Sequence, residues 1–295
     1  MTGTPNLAVL AQLSEATKAL AAKVAPSVVA ISSQRSRSSG FLWRPGLVVT
    51  AEEALPDEGE IAVTLAGNRH VAATIVGRDP ATAVALLRIE AADGAAVSLK
   101  PVATALGALA LVVGAEQGEP TAALGIVARA SGAWRSMRGG EIDTRVELDA
   151  NLRRSAEGGL VVDAAGDALG MAVFGPRRRV LVIPSATIET VAQALERHGR
   201  IPRGYLGLGL QPVTMDDAGE AGVMVLSVDS RGPGAAAGML QGDIIVAWDG
   251  EPVGHPRALL RSLGPSSVGK VIALGVRRAG ERREMKLTVG ERPND

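Results

Sequence analysis

Pro26 Ser27 Val28 Val29 Ala30 Ile31 Ser32 is a short apolar run rich in β-branched residues and closed by small polar ones, and Leu47 Val48 Val49 Thr50 repeats it after a turn. Working outward, runs of the same kind recur at 61–65, 71–77, 83–89, 109–114, 124–128, 146–148, 160–162 and 168–173. Strand-length segments of this composition, spaced regularly and separated by turn residues, specify an all-β sandwich or barrel. The pattern changes at Pro184. Across 185–198, Ile188, Val191, Ala192 and Leu195 fall at helical spacing, with Ser185 placed to cap the start and Gly199 to stop the helix. A short linker containing Pro202 follows, and a second unit of small-domain size runs from Tyr205 to Pro293. The expected organisation is an N-terminal amphipathic helix over 1–24, a β domain over 25–184, helix and linker over 185–203, and a small domain over 204–293.

With 295 residues, 46% hydrophobic and 21% charged, the chain has the composition of a globular protein with room for two cores. Thirty-one basic residues balance thirty-one acidic ones, which leaves no electrostatic footprint for nucleic acid or an anionic membrane surface. Absence of cysteine rules out disulfides and thiolate metal sites. Gln12, Glu15, Lys18 and Lys23 interrupt the apolar residues of 7–24, so this segment reads as an amphipathic helix and not as a secretory signal. On that reading the cytoplasm is favoured, or the periplasm if an export signal has been removed. The longest apolar run, 101–115, lies between Lys100 and Glu116 and falls short of the roughly 20 residues a membrane span needs; a buried strand pair is expected there.

Several of these stretches carry a resemblance. Pro26 to Ile31, Ser38 Ser39 Gly40 Phe41, Leu47 to Thr50, Gly77 Arg78 Asp79 Pro80 Ala81 Thr82 and Gly125 Ile126 Val127 are similar, in order and spacing, to the HtrA (DegP-type) serine proteases. Arg203 Gly204 Tyr205 Leu206 Gly207 Leu208, and Gly234 Ala235 Ala236 Ala237 Gly238 Met239 Leu240 Gln241 Gly242 Asp243 Ile244 Ile245, resemble that family's PDZ domain. The resemblance implies a mainly β chain, with a chymotrypsin/trypsin-like double β-barrel followed by a small α+β PDZ domain.

A serine protease needs a nucleophile, a base to take its proton and an acid to orient the base. By the resemblance the base position, counted from Thr50, is Glu53; the acid position, after the Asp79 to Thr82 turn, is Ala83; and the nucleophile position, before Gly158 and Gly159, is Glu157. None carries the family's side chain. Ser155, in place of a glycine two residues before Glu157, puts a Cβ in the turn that aims an N–H at the oxyanion. Ser155 itself is offset from the nucleophile position, and His70, His198 and His255 read as surface or structural histidines. Arg177 Arg178 Arg179 stand where the family lines its specificity pocket: a solvated hairpin tip, or side chains that fill the pocket and pair with Glu157. Glu53 and Glu157 have three readings: solvated or paired with Arg153 or Arg154, sharing a proton, or holding a hard cation with Glu52, the last falling short of the roughly six to eight oxygens calcium prefers.

The small domain keeps its motif. PDZ domains add an extended peptide to a sheet edge and capture its terminal carboxylate on backbone N–H groups. Tyr205, Leu206, Gly207 and Leu208 form the expected capture loop, and Leu259, Leu260 and Leu263 the opposite wall, where some of the leucines serve the core. The reading is therefore an HtrA-like protein without the catalytic triad that binds C-terminal peptides or unfolded segments as scaffold or regulator, without cofactor or metal. Two alternatives are a hydrolase with a carboxylate or metal-assisted site at Glu53 and Glu157, and a structural subunit that modulates an active protease paralogue. The family's trimers join through aromatic residues near the N-terminus, and none precedes Phe41 here.

Overall fold

A computed structural model of the chain describes residues 7–33, 36–57, 59–90, 95–136, 138–215 and 220–293. The chain divides into two compact units, Met1–Ile201 and Pro202–Asp295. Helix α1 (Leu7–Val24) opens the first; residues 1–6 of the expected amphipathic segment lie outside the described residues. Leu20 and Ala21 pack on the core, whereas Val9, Leu10 and Leu13 are exposed.

The first closed barrel comprises β1 (Val28–Ser32), β2 (Arg37–Arg44), β3 (Leu47–Ala51), β4 (Ile61–Leu65), β5 (Arg69–Asp79) and β6 (Val84–Ile89), in the order β1-β2-β3-β6-β5-β4. A second follows from β7 (Leu109–Glu116) and β8 (Glu119–Ser131). After a two-stranded excursion, β9 (Trp134–Arg135) with β10 (Glu141–Ile142), it is completed by β11 (Arg145–Asp149), β12 (Leu160–Asp163), β13 (Ala168–Phe174) and β14 (Val180–Pro184). Where the apolar runs are continuous, as in β1, β3, β6, β12 and β14, the strands are buried on both faces, whereas β5 and β8 expose many of their residues. In β1, β3 and β6, Ile31, Val48 and Leu87 fill the first barrel, while their neighbours Ala30, Val49 and Leu86 join a core shared with the second. In β12 and β14, Val161 and Val182 fill the second barrel, while Leu160 and Leu181 join the same shared core. The expected strand pair within 101–115 is instead one strand from Leu109 preceded by irregular chain.

Helix α2 (Ser185–His198) closes the shared core with Ile188, Val191, Ala192 and Leu195. It is tied to the first barrel by Trp43 Nε1 donating to Glu189 (2.6 Å) and Arg44 to Glu196 (2.7 Å). Ser185 is not its N-cap: Pro184 takes that position, and the Ser185 hydroxyl donates to the Ala168 carbonyl instead. Gly199 ends it in the left-handed conformation.

The second unit contains β15 (Gly204–Tyr205), β16 (Leu208–Thr214), β17 (Ala221–Val228), β18 (Ile244–Trp248), β19 (Glu251–Pro252), β20 (Val271–Arg278), β21 (Glu281–Thr288) and β22 (Gly290–Glu291), with helices α3 (Pro233–Ala236) and α4 (Pro256–Ser262). Its main sheet runs β16-β17-β18-β20-β21, which leaves β16 at an edge. Val223, Val225, Ile245, Leu259, Leu274 and Leu287 are fully buried in its core.

Candidate functional site

In the first unit, Glu157 follows a single 3-10 turn, Arg154–Ala156, whose final bond runs from the Glu157 N–H to the Arg154 carbonyl at 3.2 Å. Ser39, fully buried on β2, fastens this turn to the first barrel. Its N–H donates to the Glu157 carbonyl (2.7 Å), its hydroxyl donates to the Ser155 carbonyl (2.7 Å), and the same hydroxyl accepts from the Ala115 N–H (2.8 Å). The Thr50 hydroxyl closes the set on the Ser39 carbonyl at 2.7 Å. Gly158 has φ +82°, and a Cβ there would stand 2.2 Å from the Ser39 carbonyl oxygen, so only glycine lets the two segments meet. Nothing but the paired glycines was visible beforehand; Ser39 belonged to a quoted motif without a role.

The Glu157 carboxylate accepts a bond from the Phe174 N–H at 3.4 Å. Burial pushes its pKa up from the ordinary 4.5, the Phe174 N–H and Arg154 pull against that, and the Glu53 charge adds to the rise. Glu53 sits on the 3-10 turn Glu52–Ala54 and pairs with Arg138 at 3.4 Å; the same guanidinium lies 3.7 Å from Glu52, which also meets Arg78 at 3.6 Å. Each carboxylate therefore has its own partner. Of the arginines expected near Glu157, Arg153 goes to Glu116 (3.6 Å) and Arg179 to the buried Glu147 (3.3 Å), while Arg154 acts through its charge alone. Arg178 stacks on Phe174, its guanidinium carbon 5.6 Å from the ring centre. Ala83 lies in the left-handed region at φ +61° and its carbonyl accepts the Glu52 N–H at 3.0 Å. The turn before it is held by Asp79, whose carboxylate accepts from the Thr82 hydroxyl (2.6 Å) and the Ala81 N–H (3.2 Å).

Glu53, Glu157 and some of their neighbours line a cleft of about 680 Å³, formed by Ser36, Arg37, Glu53, Ala54, Glu116, Arg153, Arg154, Ser155, Glu157, Phe174 and Arg178; Ala83 and Asp79 are not part of it. Among the described residues no histidine lines it, and no three His, Cys, Asp or Glu side chains converge to hold a metal ion. A hydroxyl nucleophile needs a base beside it; Ser155 is buried, and among the described residues its hydroxyl is hydrogen-bonded to no histidine or carboxylate. With its N–H directed at Arg154, Glu157 does not present that donor to an oxyanion.

The second unit presents a different loop. The Leu206 carbonyl accepts from Gly234 (2.7 Å) and the Gly207 carbonyl from Asp229 (2.8 Å); among the described residues the N–H groups of Leu206 and Gly207 donate to none. Gly207 has φ +69°. The Tyr205 hydroxyl donates to Asp229 at 3.2 Å. From Leu208 the chain continues as the edge strand β16, with α4 against it. Leu208 and Leu263 are partly buried beside this edge and Leu260 is exposed. The Leu206 side chain is in the core, which leaves its backbone to the loop, and of the three leucines expected to divide between groove and core it is Leu259, fully buried on the helix that starts at the His255 cap, that serves the core.

The descriptions of known domains agree with this architecture. A trypsin-like peptidase domain matches residues 38–171 and a PDZ domain residues 204–289. A probable periplasmic serine endoprotease DegP-like of Brucella suis biovar 1 (strain 1330) is 32% identical over 277 residues, covering 88% of this chain and 53% of its own length. Its counterpart in Bartonella henselae (strain ATCC 49882 / DSM 28221 / CCUG 30454 / Houston 1) is 28% identical over 278 residues, covering 88% and 54%. The chain thus spans about half the length of these relatives. Among solved structures, the HtrA-type protease AlgW with tripeptide superposes with TM-score 0.69 at 26% identity, over 95% of this chain and 98% of that one. Two barrels with a shared core, a PDZ sheet with an open edge and these relatives together make the chain a homologue of the HtrA/DegP-type serine endoproteases, built of a trypsin-like peptidase domain followed by a PDZ domain.

Proposed function

We propose that this homologue does not hydrolyse peptides and acts as a binding scaffold, taking C-terminal peptides or unfolded segments at its PDZ domain. The observation that carries the reading is the Glu157 turn: a carboxylate where the resemblance places the nucleophile, its N–H bonded to Arg154, in a cleft lined also by Glu53, where the resemblance places the base, and by no histidine among the described residues. A fold survives loss of its site, because barrel packing does not depend on the triad. For the PDZ domain, support comes from the edge of β16 and the uncommitted N–H groups of Leu206 and Gly207, which together suit a strand ending in a carboxylate. The AlgW structures contain a decapeptide or a tripeptide.

Incubation with casein and fluorogenic peptides, with and without divalent cations, is expected to give no turnover above buffer. A panel of peptides with an apolar last residue and a free carboxylate is expected to bind with Kd on the order of micromolar, and their amidated forms at least about tenfold more weakly. Turnover that disappears in Glu157→Ala, or a panel in which nothing binds, would overturn the reading.

A further inference from the structure

The cleft around Glu157 carries an imbalance that the chain as a whole does not. Over 295 residues basic and acidic side chains cancel, yet the cleft is lined by four arginines, Arg37, Arg153, Arg154 and Arg178, against three glutamates. Two of those glutamates are already answered: Glu53 by Arg138, which comes from outside the lining, and Glu116 by Arg153. The third, Glu157, is partly buried, takes an N–H bond from Phe174 and has its ionisation disfavoured by burial and by Glu53. Arg37, Arg154 and Arg178 make no ion pair among the described residues. Three arginines thus line one cleft without an ion pair among the described residues, and Arg178 is held over an aromatic ring.

We infer that this cleft is a second binding site, for an acidic peptide segment whose aspartate and glutamate side chains pair with Arg37, Arg154 and Arg178. Guanidinium is suited to the task because its planar fork takes a carboxylate in two parallel hydrogen bonds. The volume, about 680 Å³, is that of a ligand pocket, in the general range of about 300–1,000 Å³. Phe174 and Ala54 supply apolar contact between the charges. Glu53, Glu116 and Glu157 in the same wall select against a nucleic acid, whose closely spaced phosphates would meet them, and favour a peptide that spaces its carboxylates and offers N–H donors between them. The inference rests on the non-hydrolytic reading in one respect: the bound segment stays intact.

The test uses the full chain and fluorescence anisotropy with amidated decapeptides, so that no terminal carboxylate is available to the PDZ domain. One peptide alternates Asp or Glu with small residues; its counterpart carries Lys at those positions. The acidic peptide is expected to bind at least about tenfold tighter than the Lys peptide and to weaken as ionic strength rises. In R37Q/R154Q/R178Q its affinity should fall at least about tenfold with the salt dependence flattened, while binding of a free-carboxylate peptide to the PDZ domain, measured on the same sample, stays as in the parent and reports intact folding. R129Q, at an arginine outside the cleft, should bind as the parent does. Equal binding of acidic and Lys peptides, survival of acidic binding in the triple variant, loss of it in R129Q, or tighter binding of a short oligonucleotide at the same arginines would overturn the inference. Mass spectrometry of the recovered peptide separates the two readings: a cleaved peptide overturns the non-hydrolytic proposal, whereas an intact peptide that never bound overturns this one.

Discussion

Two glycine-bearing loops, one in each unit, can be compared by where their backbone bonds go. At Glu157 the loop closes on itself: its N–H is bonded to Arg154, its carbonyl receives Ser39, and the glycines that follow exchange bonds with Ala172. At Leu206 and Gly207 the carbonyls are engaged by Gly234 and Asp229 while the N–H groups point to no described acceptor. Donors that face a ligand are what both a tetrahedral oxyanion and a peptide carboxylate require. The first loop has turned one of its donors inward and the second has kept them available. Paired glycines in a loop therefore do not by themselves decide whether its N–H groups face outward; the bonds the neighbouring carbonyls offer do.

The largest test of that contrast is Asp243→Ala. Asp243 is 1% exposed and receives Arg278 in two bonds, 2.7 Å and 2.8 Å, while Arg278 also donates to the Gly238 carbonyl and Leu240 N–H to Asp243. This clamp fixes the 234–243 segment, whose Gly234 holds the Leu206 carbonyl. Removing one partner of a buried pair costs about 3–5 kcal/mol, so urea denaturation should show a loss of that order and peptide binding should fail with it. Arg278 depresses the Asp243 pKa below its ordinary 3.8. The clamp's contribution is thus present above that value and lost as pH falls through the depressed one, where parent and variant should converge. Retained peptide affinity in a destabilised variant would show that the donors are set by the loop itself.

Ser39→Ala probes the other loop with a smaller effect. It leaves the Ala115 N–H and the Ser155 carbonyl without the hydroxyl that joins them, in a site with 0% exposure at Ser39. A buried polar group left unpaired costs about 1–3 kcal/mol, and denaturation should report that loss. Backbone amide exchange at Glu157 should quicken by more than the global loss accounts for if the Ser39 hydroxyl holds the turn closed; an unchanged local rate would mean that the 3-10 turn stands without it.

Much of the barrel was legible because several of its strands are buried on both faces, which makes runs such as 47–50 and 160–162 continuous and easy to place. The Glu157 turn drew attention for a different reason: the paired glycines Gly158 and Gly159 that follow it, of which Gly158 takes a positive φ against the Ser39 carbonyl. What was hidden depends on distance in sequence. Ser39 and Ser155 lie 116 residues apart, and nothing local in either announces their bond. Arg138 answering Glu53, and Arg153 turning to Glu116 in preference to Glu157, are likewise choices among many arginines that only the fold makes. The segment before Leu109 misled because apolar composition alone does not separate a strand from irregular chain packed on a core, and which of Leu259, Leu260 and Leu263 serves the core was left open because the sequence does not fix the phase of a helix of one to two turns.

The smallest expected effect isolates Glu157 itself. Its carboxyl is raised above 4.5 chiefly by burial, so the folded chain holds the proton more tightly than the unfolded one. For a carboxyl shifted in that direction, the favourable contribution is complete below the unfolded value and is lost as pH rises through the folded one. At neutral pH the parent therefore carries a partly buried charge that Glu157→Gln, of nearly the same shape, does not. The variant should show a modestly higher Tm near pH 7, and the difference should shrink to nothing as pH drops below the ordinary glutamate range. The Phe174 N–H keeps an acceptor in the glutamine carbonyl, so the comparison isolates the charge. A variant less stable than the parent at pH 7 would mean that Arg154 and the Phe174 N–H outweigh burial and that the turn has been rebuilt around an ionised carboxylate. In that case the turn holds a settled anion at Glu157, stabilised by the Arg154 charge and the Phe174 N–H.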